Sequence, residues 1–295
     1  MTLEQLRIFV AVAERRHVTR AAEALGLTQS AASAAIAALE ARNGVTLFHR
    51  VGRGIELSAE GAAFLDEARA VLAAARHAEA TLDDLSGLVQ GRLAIMASQT
   101  TATYWLPPLL SDFRRRHPGI TVSLSIGNSA EVAAAVRAGD AELGFVEGPV
   151  AGDALHLWPV AEDRLILAVG AAHRWAAERA LSTEEFRRLP WVLREPGSGT
   201  RAATEALLAS RGLSVADVEV ALELPSNEAV RSAVEAGAGA TVLSLLVAGT
   251  ALKAGTLVAT FCVLPRRRFI ALCHRERRPS HAGRAFTELL PRLPA

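Results

Sequence analysis

Apolar residues recur along the chain at two different spacings, and the change from one to the other divides it. Leu3, Leu6, Val10 and Ala13 fall on one helical stripe with Phe9 beside it, which predicts an amphipathic helix over residues 3–15. Thr19 is expected to cap a short second helix that Gly26 ends, and Thr28 a third that runs to about residue 42. In the third helix Ile36 and Leu39 are expected inside, with Gln29, Ser30 and Ser33 on its exposed N-terminal part. The run "TLFHRVGRGIELS" reads as two short strands about Gly52 and Gly54, a hairpin carrying Arg50 and Arg53. Ser58, with Gly61 nearby, opens a long Ala/Leu-rich helix to roughly residue 88. Its Phe64, Leu65, Val71, Leu72, Leu82 and Leu85 exceed what a solvated connector carries, so a partner helix is expected to cover them.

From Gly91 the period shortens. "ITVSLSI" alternates, with Ile120, Val122, Leu124 and Ile126 on one face; Asn128 or Ser129 starts a helix that Gly139 ends, and "ELGFV" follows as a strand. "DRLILAV" and "PWVLR" read as strands, and residues 200–211, 227–236 and 245–252 as helices around "GATVLS". Strands near 257–263 and 268–273 and a helix from about Pro279 complete the chain. This alternation predicts parallel α/β sheets in two subdomains.

Composition changes the picture little: 295 residues, 51% hydrophobic and 21% charged, describe an ordinary folded chain with room for two or three domains. Charge changes it more. Residues 1–58 hold seven Arg against five Glu, whereas residues 59–90 hold two Arg against six acids. Cys262 and Cys273 sit in apolar runs and read as small core residues rather than a redox pair. The N-terminal stretch lacks a signal peptide's pattern and no apolar run reaches the ~18 residues of a membrane span, so a cytoplasmic protein is expected.

Nine of the 22 residues from Thr19 to Glu40 are Ala, which makes the two helices strongly helical and thin. A plain helical hairpin with alanine filler fits that pattern. A helix-turn-helix also fits, and it asks that the third helix enter the DNA major groove by its N-terminal end. Gln29 can then contact adenine bidentately, and the hydroxyls of Thr28, Ser30 and Ser33 can bond phosphates or bases. Ala31, Ala32, Ala34 and Ala35 let the helix sit close. The arginines of the hairpin immediately downstream, placed for phosphate or minor-groove contact, favour the DNA reading.

In order and spacing, "LEQLRIFVAVAE", "VTRAAEALGLTQSAASAAIAALE" and "LFHRVGRGIELSAEG" resemble the N-terminal part of LysR-type transcriptional regulators. The resemblance implies a winged helix-turn-helix over residues 1–58, with Arg20, Thr28, Gln29, Ser30, Ser33, Arg50 and Arg53 facing DNA. It further implies a linker helix over 59–90 that dimerises the chain. A C-terminal effector domain over 91–295 would be like the periplasmic binding proteins, with subdomain I at about 91–161 and 266–295 and subdomain II at about 162–265. The chain departs from the family pattern in two places: Ala34 and Ala35 stand where many relatives carry Arg or Gln, and Asn43 where Leu is usual.

Two loops in the C-terminal half hold hydroxyls just before helices: Ser98, Gln99, Thr100 and Thr101, and Gly197, Ser198, Gly199 and Thr200. Helix N-termini with free N–H groups bind small anions without a metal. Ser/Thr caps and Gly turns also occur at many strand-to-helix joints. By resemblance, Ser98, Thr100, Thr101, Asn128, Glu147 and Thr200 line the cleft between subdomains. Gln99, Ser129 and Arg201 are adjacent candidates, with a surface or hinge role as the alternative for Arg201. "IGNSAEVAAAVRAGDAELGFVEG" looks closest to branches that regulate sulfur assimilation or carbon dioxide fixation. The clusters Arg266–Arg268 and Arg275, Arg277 and Arg278 read as solvated faces or strand ends.

An enzyme needs a nucleophile or metal constellation, and the sequence holds no close His pair, no Gly-x-Ser-x-Gly elbow and no P-loop. The expectation is a regulator without a cofactor that grips a promoter inverted repeat of double-stranded DNA as a homodimer or homotetramer and answers to a small anionic metabolite. RNA polymerase is a candidate further partner, and no membrane is involved.

Overall fold

Thr2 and Gln5 close a capping box ahead of α1 (Leu3–Arg15), which buries Leu6, Phe9, Val12 and Ala13 along one stripe. The chain turns at Arg16, in the left-handed region with φ 49°, into α2 (Val18–Ala24). The cap of α2 is His17 and not Thr19, its ring Nδ1 accepting from the Arg20 N–H at 3.5 Å. Starting the helix at Val18 puts Val18, Ala21 and Ala22 at i, i+3 and i+4 on the core face. Thr28 caps α3 (Gln29–Asn43), its hydroxyl accepting from the Ala31 N–H at 3.2 Å, and Gly44 ends it at φ 64°.

Alanine in α3 has two uses. Ala32 is fully buried with Ile36 and Leu39, so this alanine faces the protein core rather than a partner, while Ala31 and Ala34 are exposed. The strands β1 (Phe48–Val51) and β2 (Gly54–Leu57) pair antiparallel as the expected hairpin, with Phe48 opposite Leu57. Glu40 of α3 anchors the hairpin by accepting from the Leu47 N–H at 2.7 Å. Ser58 donates to the Thr46 carbonyl and accepts from the Gly61 N–H, which starts α4 (Ala59–Leu85). Only glycine fits at 61, because a Cβ there would stand 2.1 Å from the Leu47 carbonyl oxygen.

The apolar excess of α4 divides. Phe64, Leu65 and Leu72 pack into the core formed with α1, Phe64 lying 5.1 Å from the Phe9 ring, so the same chain covers them. Val71 and Leu82 stay 40% and 68% exposed and keep the expectation of a partner. The Leu85 side chain and residues 86–88 lie outside the described residues. Those are 1–52, 54–85, 91–148, 150, 152–176, 181–291 and 293 of the computed structural model. The chain divides into two units, Met1–Gly87 with Ala138–Asp140 and Leu88–Arg137 with Ala141–Ala295.

The second unit contains two five-stranded sheets. The first is built from β3 (Gly91–Ser98), α5 (Leu106–Arg116), β4 (Ile120–Gly127), α6 (Ser129–Ala138), β5 (Leu143–Glu147) and β6 (Leu155–Asp163). The chain then crosses at Arg164 into the second, built from β7 (Leu165–Gly170), α7 (Thr183–Arg187), β8 (Trp191–Arg194), α8 (Gly199–Ala209), β9 (Val220–Leu224), α9 (Asn227–Glu235), β10 (Ala240–Ser244), α10 (Leu245–Ala254) and β11 (Leu257–Ala259). It returns to the first through β12 (Arg267–His274) and ends in α11 (His281–Leu289).

The strand orders are β4-β3-β5-β12-β6 and β11-β7-β10-β8-β9. Both sheets are mixed, which corrects the parallel expectation: β12 runs antiparallel to β5 and β6, and β7 antiparallel to β10 and β11. The two crossings between sheets produce this, since each brings a strand in from the opposite end. Helices cover both faces, so consecutive residues such as Val242 and Leu243 are both buried in opposite cores. Because β4 is an edge strand, its last apolar residue, Ile126, is 54% exposed rather than inward. The strands β6 and β9 go unforeseen in the apolar pattern; β9 is mostly exposed and carries no alternation of burial.

Cys262 and Cys273 are half-buried free thiols whose ionisation burial pushes up, consistent with packing rather than redox use. Among the described residues no helix is long and apolar enough to cross a membrane, and no group of His, Cys, Asp and Glu is placed to hold a metal.

Candidate functional site

At the start of α3, Gln29 and Ser30 are exposed and Ser33 is half-buried. Gln29 Nε2 donates to Ser33 Oγ at 2.9 Å and the hydroxyls of Thr28 and Ser30 lie 3.1 Å apart, so the four polar side chains form two linked pairs on one helical turn. Arg20 on α2 and Arg50 on β1 are exposed and form no ion pair among the described residues. Arg53 lies outside the described residues. The arrangement can present hydrogen-bonding groups on a narrow helix end with free cations nearby, as groove and phosphate contacts require.

The second group of candidates gathers around Glu147, at the C-terminal end of β5 and 2% exposed. Ser98 and Thr100 both donate hydroxyl hydrogens to its carboxylate, Thr100 at 2.9 Å. Thr101, in the π-helical turn Thr101–Trp105 ahead of α5, is within hydrogen-bonding reach of the Ser98 and Phe145 carbonyls at 3.0 and 3.1 Å and so fixes that turn. Ser129 donates to the Glu147 carbonyl at 3.1 Å. Gly199, the first residue of α8, abuts the same residue so closely that a Cβ would stand 1.9 Å from the Glu147 carbonyl oxygen. Beside these residues runs a groove of about 460 Å³ lined by Ser129, Gly197, Ser198, Gly199 and Arg201.

Several expected ligand side chains serve the protein itself. Asn128 Oδ1 accepts from the Glu131 N–H at 3.0 Å, and Ser198 Oγ accepts from the Thr200 and Arg201 N–H groups, so both are helix caps. Arg201 bonds Glu205 of its own helix and Glu223 of β9 at 2.8 and 2.5 Å, which commits its guanidinium to those two acids. Gln99 bridges the sheets: its amide donates to the Pro225 carbonyl at 3.0 Å and accepts from the Asn227 N–H at 2.8 Å.

Four functional candidates escape the sequence reading. Arg267, at the start of β12, is 9% exposed; its Nε donates to Asp163 at 2.7 Å and its Nη1 lies 4.0 Å from Glu147 Oε1. Among the described residues neither Nη1 nor Nη2 has a hydrogen-bond partner, and nor does Thr200 Oγ1. Of the two readings of the 266–268 cluster, strand end fits Arg267, which begins β12 in the strand phase of buried Phe269 and Ala271, while Arg266 and Arg268 are exposed. That phase is the signal available in the sequence. Asn227 donates to Thr100 Oγ1 at 3.0 Å and accepts from Arg194 Nη1 at 2.6 Å, and no motif marks either residue. Tyr104 completes the bridge between sheets by donating to Glu228; burial, then that carboxylate, pushes its hydroxyl up to about 12.

Electrostatically the centre is unbalanced. Burial pushes the Glu147 carboxyl above its usual range, against the pull of Arg267 and of the Thr100 hydroxyl. Asp163 engages Arg267 Nε, and the Arg194 fork is committed to Glu195, whose carboxyl it holds low despite partial burial. Two buried carboxylates thus share one buried guanidinium whose outer nitrogens are unused.

Comparison with known proteins adds the following. A family model described as LysR substrate binding domain matches residues 86–294, and one described as bacterial regulatory helix-turn-helix protein, lysR family, matches residues 3–62. The HTH-type transcriptional regulator YeiE of Escherichia coli K12 is 35% identical over 290 residues, covering 98% of this chain and 96% of that protein. The transcriptional activator CmpR of Synechocystis is 34% identical over 244 residues, 83% of this chain and 79% of that one. Full-length CbnR, solved in complex with its target DNA, shares the fold with a TM-score of 0.67 at 24% identity over 98% of this chain and 99% of that one. The regulatory domain of Synechocystis CcmR, solved in complex with 2-PG, gives a TM-score of 0.61 at 26% identity over 68% of this chain and 95% of that one.

Proposed function

The chain belongs to the LysR family of DNA-binding transcriptional regulators, and we propose that its effector is a small anion held between the two sheets of the C-terminal unit by Arg267, Thr200 and the hydroxyls that ring Glu147. One observation carries this reading. The Nη1 and Nη2 atoms of Arg267 are buried without a hydrogen-bond partner among the described residues, a costly arrangement for a folded chain and one that an anion relieves. Among the described residues Thr200 Oγ1 is likewise without a partner, in the first turn of α8, where the helix dipole favours negative charge. That the similar CcmR regulatory domain was solved in complex with 2-PG supports reading the C-terminal unit as one that takes a small ligand.

In the same reading the bridge of Gln99, Thr100 and Asn227 couples occupancy to the spacing of the sheets. A ligand that takes the Thr100 hydroxyl alters the bond that Asn227 makes to it and shifts the balance between sheet positions. The first turn of α3, with Thr28, Gln29, Ser30 and Ser33, reads base edges, while Arg20, Arg50 and Arg53 meet phosphates. The chain acts as a homodimer or dimer of dimers on an inverted repeat, the exposed Val71 and Leu82 of α4 lying against a second copy. Ser98, Ser129 and Gly199 shape the wall; Asn128, Ser198, Gln99 and Arg201 hold it in place.

Thermal unfolding of the full chain against 2-PG, sulfate, phosphate and simple carboxylates tests the effector. A ligand of the native state stabilises it by about 2.7 kcal/mol at a hundredfold excess over its Kd. A rise with one anion that Arg267→Leu removes supports the site; a rise that survives Arg267→Leu places the ligand elsewhere.

A further inference from the structure

Glu147 raises a difficulty for any anion that binds here. Its carboxylate oxygens, which can only accept while ionised, already take the Ser98 and Thr100 hydroxyls that would serve a ligand. The groups that face it are few. Ser98 comes from β3, Thr100 from the turn before α5, Ser129 from α6 and Gly199 from α8, all uncharged. Arg267 comes from β12, Asp163 stands behind it on β6, and Arg194 of β8 acts at longer range with its fork on Glu195. One available cation therefore meets two buried carboxylates before any ligand arrives, and an anion beside Arg267 adds a third negative group.

We propose that Glu147 selects among anions: the cleft takes an oxyanion that carries its own acidic hydrogen, donated to the Glu147 carboxylate while other oxygens are held by Arg267, and turns away the fully ionised anion of similar shape. The inference rests on the reading of the cleft as an anion site. A carboxylate has about four acceptor positions, and two at Glu147 are in use, so it retains capacity for such a donor. The shared hydrogen turns a repulsion between two buried charges into a charge-assisted bond. Burial disfavours the bare ionised carboxyl, which strengthens its hold on a hydrogen that the ligand brings and also lowers the cost of taking one from water when the ligand brings none. An ion without a hydrogen must instead draw one from water onto Glu147, so its affinity rises as pH falls, by up to about tenfold per pH unit.

Inorganic phosphate, which keeps a hydrogen near neutral pH, and sulfate, which has none, are the probes, titrated against the full-length chain by calorimetry and thermal unfolding. For the wild type, phosphate binds at about tenfold lower concentration than sulfate. In Glu147→Gln, whose amide donates, sulfate comes within about threefold of phosphate. Equal binding in the wild type, or a preference that persists in Glu147→Gln, overturns the selection. Should Glu147→Gln fail to fold, the wild type decides alone: sulfate affinity that tightens at least tenfold from about pH 8 to about pH 6 supports the proposal, and a flat profile overturns it. Binding of both ions without discrimination, abolished by Arg267→Leu, overturns the selection while leaving the anion site standing. No binding of either ion to either protein at either pH removes the anion reading, and the selection with it.

Discussion

Arg50 and Arg267 are both arginines without full hydrogen-bond complements, and their surroundings give that shared fact opposite meanings. Arg50 projects from the hairpin into water, where its donors are satisfied by solvent and waiting costs nothing. Arg267 stands between Glu147 and Asp163 in the interior with two nitrogens unbonded, and there the same condition is expensive. On the proposed reading the first serves a partner met by long-range attraction that salt weakens, and the second a site for one small partner at short range. An unbonded donor on a cation informs about function in proportion to what it costs to leave it unbonded.

The comparison breaks most readily at Arg267. Arg267→Leu leaves Glu147 and Asp163 without a cation and should lower unfolding free energy by about 3–5 kcal/mol in urea titrations. It should also abolish anion-dependent stabilisation. A loss below about 1 kcal/mol would put Arg267 in the same class as a surface arginine. At the other pole, Gln29→Ala should weaken operator binding by about 1–3 kcal/mol, leave affinity for non-specific DNA unchanged and leave the anion-induced rise in Tm intact. Equal losses on operator and random DNA would show that Gln29 positions rather than reads.

These two regions were not equally legible in advance. The turn proposed to face DNA lies within six residues, Thr28 to Ser33, because a helix end gathers its functional groups from consecutive positions. Spacing alone could therefore find it. The residues around Glu147 come from β3, β5, β6, β12, α6 and α8, joined only by the strand pairing and the two crossings between sheets. Loop chemistry before helices marked Ser98, Thr100 and Thr200, but equally marked Ser198, which is a cap, as is Asn128, which the resemblance put in the cleft and the sequence pattern at a helix start. Nothing local distinguishes a hydroxyl that caps its own helix from one that is unpartnered, as Thr200 is. Arg267 was hidden by neighbours of the same type, since Arg266 and Arg268 make the cluster look solvated until the strand's alternation is set against Phe269.

Between the two poles lies Thr100, whose hydroxyl donates to Glu147 while accepting from Asn227 across the sheets. Thr100→Val keeps the shape and leaves the Asn227 amide without its acceptor, which should cost about 1–2 kcal/mol of stability. It should also reduce the change in DNA binding that an anion produces, measured as the ratio of operator affinities with and without the stabilising ligand. An unchanged ratio would take Thr100 out of the coupling between the sheets.

The smallest effect is expected at Arg50, and it tests the comparison from the side where nothing is buried. Arg50→Ala removes one exposed charge without an ion-pair partner, so folding stability should move by less than about 0.5 kcal/mol. If Arg50 contacts a phosphate, its loss weakens binding uniformly across DNA sequences and lowers the slope of log affinity against log salt by about 1. Gln29→Ala should change sequence preference at constant slope; Arg50→Ala should change slope at constant preference. A slope that stays fixed in Arg50→Ala would remove the hairpin arginine from the DNA interface and leave the first turn of α3 to carry recognition with Arg20. A fall in stability comparable to that of Arg267→Leu would mean that Arg50 is not waiting in water at all, and the contrast between a cation that costs nothing and one that costs the fold would fail at its simpler end.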